Sequence, residues 1–394
     1  HPIPFSDFYM RPGEHGYRQF VSNYLRWLAR NRQNVATYLF LKTVDQQVWR
    51  PWMADIVDEA HGYGIRMGLV TSFLDAQQNA FKVVQADALD GEGQPLPAED
   101  QIHTFLDDLA AIGFDDVTFQ IGTSEFSKPP DDLMLGYLNA AVAYLRATYP
   151  DVKAWAWIHT TCDLEGDAGG YFYHLPLQAD PDLGAWLHTT MFYDLTHPAP
   201  VYECEDFHQQ VDFAQNASGQ RPLTYFPETA WWLGFDINCP VILPITGWTR
   251  QHDVQQALAP FDVQGHVTFT SGREWTYWQY DHFLTRLTWD ADATWDDYLN
   301  WIAPAYGSAG PAVAAALKAF TDLQVQHFLL DDPLRYFYVA GELRQDEVGE
   351  QAGILARRPK IALKTVAGYD DDTFAAWKAR DFDALVTMRA AYAD

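Results

Sequence analysis

The stretch Gly113-Phe114-Asp115-Asp116-Val117-Thr118-Phe119-Gln120-Ile121-Gly122-Thr123-Ser124-Glu125-Phe126 decides the fold. It opens on a glycine that closes an amphipathic helical pattern at 99–112. It continues as a short run, 116–121, carrying Val117, Phe119 and Ile121, and then breaks into a polar turn that ends in a carboxylate. A strand without a solvent face is a parallel strand covered by helices, because antiparallel sheets leave one face wet and alternate accordingly.

The same unit recurs on both sides. Strand-like runs lie at 3–8, 34–41, 65–70, 116–121, 152–159, 187–193, 222–226 and 266–270. Helical patterns lie between them at 17–30, 51–62, 99–112, 131–149, 203–216 and 250–258, with Gly62, Gly64, Gly113 and Pro150 as stop signals. Eight strands with intervening helices over residues 1–290 predict an α/β (β/α)8 TIM barrel. The connection at 162–182, rich in glycine and acidic groups, reads as a long loop. After residue 290 the strands stop. Ala-rich helical patterns at 311–331 and 372–393 predict an α-helical C-terminal region, 291–394, packed on the barrel.

Several function classes fall away. The turn after the first run has no GxGxxG spacing, and no P-loop occurs, so a nucleotide-binding sheet is excluded. A net charge of −27 repels phosphate backbones and anionic lipid, which argues against nucleic acid and membrane surfaces as partners. No apolar run approaches the ~20 residues of a membrane helix. Cys162, Cys204 and Cys239 are too scattered for a zinc site; one disulfide with a free thiol and three free thiols are both open. The first residue is His1, read as a processed or trimmed chain, and the expected location is secreted or periplasmic.

In such a barrel the chemistry sits after the strands, at their C-terminal ends. Those positions hold Tyr9 and Arg11, then Glu125, His159, Tyr193 and Asp194, Glu228 with Trp231 and Trp232, and finally Glu274 and Trp275. Carboxylates and aromatics dominate this set. Cleaving a glycosidic bond needs one carboxylic acid to protonate the leaving oxygen and a second carboxylate to attack the anomeric carbon or activate water. Aromatics are 15% of the chain; most belong to the core, but rings after the strands can stack on sugar faces. His159 offers a hydrogen bond to a sugar or a carboxylate, against the plain alternative of a satisfied structural histidine. Asp115 and Asp116, at the opposite end of their strand, are expected to be solvated.

A Glu after the fourth run and a Glu after the seventh resembles the large clan of retaining (β/α)8 glycoside hydrolases. The resemblance implies Glu125 as general acid/base, Glu228 as nucleophile, Tyr193 steadying the nucleophile and Trp275 flooring a sugar subsite. It departs at Ser124, where the clan usually has an Asn that holds the sugar 2-hydroxyl. The run Ser271-Gly272-Arg273-Glu274-Trp275-Thr276-Tyr277-Trp278 is similar to α-glucuronidase-type barrels, which invert. The phrase Leu28-Ala29-Arg30-Asn31-Arg32-Gln33-Asn34 is similar to hexosaminidase-type barrels, which use the substrate's acetamide. The function expected is hydrolysis of an oligo- or polysaccharide by Glu125 and Glu228, with no metal and no organic cofactor. Tyr9, Arg11, His159, Tyr193, Asp194, Trp232, Glu274 and Trp275 are expected to bind the substrate. Two other classes are weighed beside it. One is a barrel that binds carbohydrate without cleaving it. The other is a metal-dependent enzyme such as a sugar isomerase, which would draw Glu125, His159, Asp194 and Glu228 around divalent ions.

Overall fold

The computed structural model describes residues 16–39, 45–75, 82–228, 242–268, 274–333, 335 and 366–393; of Gln46, residues 274–277 and Asp381 it describes the backbone only. The chain alternates helix and strand: α1 (Tyr17–Arg30), β1 (Val35–Leu39), α2 (Gln46–Gly62), β2 (Arg66–Ser72), α3 (Ala98–Ile112), β3 (Asp116–Gln120), α4 (Asp131–Thr148) and β4 (Lys153–Ile158). A 3-10 turn, Phe172–Gln178, leads to β5 (Gly184–Thr189), α5 (His208–Ala217), β6 (Leu223–Pro227), α6 (Ile245–His252) and β7 (Gly265–His266). Then come α7 (Glu274–Leu287), α8 (Trp295–Ile302), α9 (Gly310–Val325), α10 (Asp371–Trp377) and α11 (Asp383–Ala393).

The strands form one curled, all-parallel sheet in the order β1 to β7, an α/β fold consistent with a TIM-like barrel. Seven strands appear among the described residues where the sequence predicts eight. The predicted first strand, 3–8, and positions 269–270 of the last lie outside the described residues. The fourth predicted run is therefore β3. The Trp289 Nε1–H, just past α7, donates at 3.0 Å to the Arg32 carbonyl before β1, which brings the two ends of this region together.

Alternation along the strands separates two cores. One face carries Leu69, Val117, Phe119, Ala156, Leu187 and Tyr225 against the helices. α1 meets it with Tyr17, Val21, Leu25 and Leu28, a helical stripe. The other face turns Val70, Trp157, Trp186 and Phe226 into the barrel. At the barrel base the structure corrects the expectation for Asp116. It is 4% exposed, accepts from Arg66 at 3.1 Å and from the Trp155 indole at 2.9 Å, and plugs the interior. Burial raises its carboxyl, and the Trp155 and Arg66 hydrogen bonds oppose that rise. Asp115 is half-buried, accepting from the Met67 N–H at 2.7 Å.

The same base packs Gly184 against Trp155, where an added Cβ would lie 2.3 Å from the indole. Gly184→Ala should cost about 1–3 kcal/mol, read as a lower unfolding midpoint in urea, because the ring is held by the sheet beneath it. An unchanged midpoint would mean that Trp155 moves freely.

Two boundaries differ from the sequence reading for stated reasons. The run predicted at 187–193 is observed as Gly184–Thr189, because Met191 adopts a left-handed backbone with φ 58° and ends the strand. The helix predicted from 203 starts at His208, because Tyr202 and Glu203 are also left-handed, with φ 53° and 61°.

Past β7, helices α7, α8 and α9 share a second core of Tyr280, Phe283, Leu287, Trp295, Tyr298 and Ile302. So α7, inside the predicted barrel segment, packs with helices on the far side of residue 290. Gln324 of α9 ties this layer to the barrel: its Oε1 accepts from the Ile245 N–H at 3.2 Å and its amide donates to the Ile242 carbonyl at 3.0 Å.

Candidate active site

Strand parity selects what reaches the mouth. Trp155, Trp157 and His159 point inward from β4 and its end; Trp186 and His188 do so from β5; Phe226 and Glu228 do so from β6. The rings interlock. Trp157 meets His188 edge-on at 5.2 Å, His188 stacks on Phe226 at 4.8 Å, and His159 lies 5.1 Å from His188. Glu228, 9% exposed, stands at the rim of this aromatic floor.

Its carboxylate is positioned by backbone. Oε2 accepts from the Met191 N–H at 2.6 Å, and the left-handed turn at Met191 is what aims that N–H across from β5 to β6. A left-handed non-glycine residue costs about 1–2 kcal/mol, so something must hold it. Arg250 does. Its guanidinium, 0% exposed, donates to the carbonyls of Met191, Tyr193 (2.8 Å) and Glu228 (2.9 Å), and contacts Asp253 at 3.4 Å. Asp253 accepts in turn from the Tyr225 hydroxyl and the Leu195 N–H. One buried cation thus fixes the ends of both strands that carry Glu228 and its donor.

His188 Nε2 lies 3.4 Å from Glu228 Oε1. This is a long contact between a neutral imidazole and a carboxylate rather than an ion pair, since burial, with Arg250 nearby, pushes His188 down to about 3. Burial, with His188 beside it, also drives His159 well down. Neutral imidazoles supply hydrogen bonds without adding charge to the mouth. Trp157 Nε1 and His188 Nδ1 are buried and find no partner among the described residues.

These shifts make stability depend on pH. The two histidines have folded values below the ~6.5 of an unfolded one, so unfolding takes up protons. Their contribution is complete above about pH 6.5 and is lost as pH falls toward the folded values. Asp253, lifted to about 7 by burial and by Asp194, has the opposite sign: its contribution is present at low pH and lost as pH rises through 7. His188→Gln should therefore flatten the fall in Tm between about pH 6.5 and 4.5. A fall as steep as that of the wild type would contradict the assignment.

Glu125 lies in the turn after β3, which the Thr123 N–H closes on the Ser127 carbonyl at 2.9 Å. The Tyr173 hydroxyl donates to the carbonyls of Ser124 (3.2 Å) and Glu125 (3.4 Å). Burial, and then the Glu125 carboxylate, push that hydroxyl far up. A Cβ on Gly122 would lie 2.7 Å from the Tyr173 oxygen, so only glycine lets the turn come this close. The Tyr173 ring is 5.6 Å from His159, and Tyr202 meets His159 at 4.8 Å while stacking on Phe126 at 5.7 Å. Ring contacts from Tyr173 through His159 to His188 thus link the Glu125 backbone to the Glu228 side chain. Cys162 and Cys204 form a disulfide that ties the loop after β4 to the turn bearing Tyr202; Cys239 lies outside the described residues.

The other predicted residues separate. His159 is at the mouth. Tyr193 is fully buried and its hydroxyl donates at 2.7 Å to the Pro333 carbonyl. Asp194, also fully buried, accepts from Thr196 and His197 in its own loop, on the side of α6. Tyr9, Arg11, Trp231 and Trp232 lie outside the described residues, as do the side chains of Glu274 and Trp275, which open α7. Sequence reasoning missed Trp157, His188, Met191 and Arg250. Parity along Trp155-Ala156-Trp157-Ile158-His159 and Trp186-Leu187-His188 carries the signal for two of them; nothing local marks Met191 or Arg250.

Compared by sequence, the chain matches no family model and no curated protein. Its fold is similar to that of a GH138 enzyme targeting pectin rhamnogalacturonan II, with 10% identity, a TM-score of 0.50, and coverage of 82% of this chain and 41% of that one. A mutant O-GlcNAc hydrolase from Thermobaculum terrenum aligns at 11% identity over 95% of this chain and 79% of that one, with a TM-score of 0.47. A GH20 β-N-acetylhexosaminidase from Streptomyces coelicolor aligns at 13% identity over 76% and 66%, also at 0.47. The chain spans less than half the length of the GH138 enzyme it matches.

Proposed function

We propose that the chain is a glycosidase that hydrolyses an oligo- or polysaccharide, with Glu125 as general acid and Glu228 as nucleophile or general base. The observation that carries this reading is Glu228 itself. It is a nearly buried carboxylate at the C-terminal end of a barrel strand, aimed by the Met191 N–H over a floor of Trp157, His188 and Phe226. The likeness of the fold to a GH138 enzyme agrees with it.

The chemistry follows from the positions. A sugar ring lies over the aromatic floor beside Glu228, and its hydroxyls meet the neutral His159. Glu125 gives its proton to the glycosidic oxygen as the bond breaks. Glu228 either attacks the anomeric carbon, after which water breaks the glycosyl–Glu228 bond and gives its proton to the Glu125 carboxylate, or takes a proton from water that attacks directly. No step calls for a metal or an organic cofactor. Tyr9, Arg11, Trp232, Glu274 and Trp275 bind the substrate in this reading. Residues 1–290 form the catalytic barrel and 291–394 its helical support. The disulfide suits an oxidising compartment, hence a secreted or periplasmic protein.

A panel of aryl glycosides tests the reading. The wild-type chain should release the aryl alcohol from at least one sugar, with a bell-shaped pH–rate profile whose two limbs are carboxyl-like. Binding of a sugar without release from any member would sink it.

A further inference from the structure

A second constellation lies away from the mouth, where the loop after β5 meets the C-terminal end of α6. We propose that Asp194, His197 and His252 bind a divalent transition-metal ion of the zinc type, which fastens that loop to the helix. One ligand atom from each residue lies within 4.8 Å of the other two. Two imidazoles and a carboxylate are a zinc-type donor set, whereas calcium and magnesium take oxygen ligands.

The three side chains are held in place. His252 stacks on Trp248 at 5.2 Å with the planes 9° apart, and the His197 ring lies 5.3 Å from it. Asp194 Oδ1 accepts from the Thr196 N–H at 2.8 Å and the His197 N–H at 2.9 Å, the kind of outer contact that orients a metal-bound carboxylate. Its Oδ2 faces His197 Nδ1 at 2.9 Å. Asp194 is fully buried while the two histidines are half-buried, so an ion has an anchored anion on one side and solvent on the other.

Thr196 Oγ1 stands among the three groups, 2.7 Å from His252 Nε2 and 3.1 Å from Asp194 Oδ1. Thr196 is exposed, so its hydroxyl can rotate aside as the ion enters. The loop so fastened is continuous with Met191 and Tyr193, whose carbonyls Arg250 holds. The role is therefore structural, and it does not depend on the glycosidase reading.

The test uses the full chain, stripped with a chelator and desalted, then titrated with zinc chloride by calorimetry and by thermal melting. Zinc should saturate one tight site and raise Tm. His197→Ala and His252→Ala should each weaken that site by at least about tenfold. Thr196→Ala should keep it. His252→Gln retains a partner for Thr196 and should weaken zinc as alanine does, while the metal-free Tm stays at the wild-type value. No saturable zinc binding by the wild type, or a site unchanged by both histidine substitutions, would overturn the proposal.

Discussion

Glu228→Gln should lower kcat/KM on an aryl glycoside by at least about 10³-fold while leaving the fold in place. The two halves of that expectation have different causes. The amide oxygen of glutamine still accepts from the Met191 N–H, so the 2.6 Å contact that orients the side chain survives. What is lost is the negative oxygen that attacks carbon or takes a proton from water. Glu228→Ala separates the effects in the other direction. It removes the acceptor, leaves a buried N–H unpaired, and should also cost about 1–3 kcal/mol of stability. The check is turnover and Tm measured together: an inactive glutamine variant with wild-type Tm is the expected pair. Retention of more than about a tenth of wild-type turnover in that variant would remove Glu228 from the chemistry.

The second large effect is on stability. Arg250→Met should destabilise the chain by about 3–5 kcal/mol, because the carbonyls of Met191, Tyr193 and Glu228 lose their bonds to a buried guanidinium, and a bond to a charged group is worth about 1.5–3 kcal/mol. Urea denaturation reads the change directly. A loss below about 1 kcal/mol in this variant would show that Met191 holds its left-handed turn without help.

Much of the sheet was legible in the sequence because its strands announce themselves. Val117 and Phe119 face the helices, and the glycine at 113 caps the helix before them, so β3 falls where expected. The run through Phe192 and Tyr193 misled. Both residues are apolar and buried, as strand residues would be, but the chain has already turned at Met191, and no glycine marks the turn. Asp116 misled for a related reason. A carboxylate at a strand start looks solvated until Arg66 and Trp155, its partners from neighbouring strands, close over it. That Glu125 and Glu228 follow β3 and β6 was readable because position after a strand is a property of the chain. What aims them was not. The Met191 N–H, the Arg250 guanidinium and the Cys162–Cys204 link are all contacts between separate strand ends, which spacing along one chain does not encode.

The paired roles of Glu125 and Glu228 are the centre of this account, and the dependence of the Glu125→Gln rate on leaving group tests them most directly. Without an acid to protonate the departing oxygen, the reaction must rely on the leaving group's own acidity. Across a series of aryl glycosides the variant should match the wild type within about tenfold for the most acidic phenols and fall more than about 10²-fold behind for the least acidic. A uniform loss across the series, or none at all, would contradict the assignment of Glu125 as the acid.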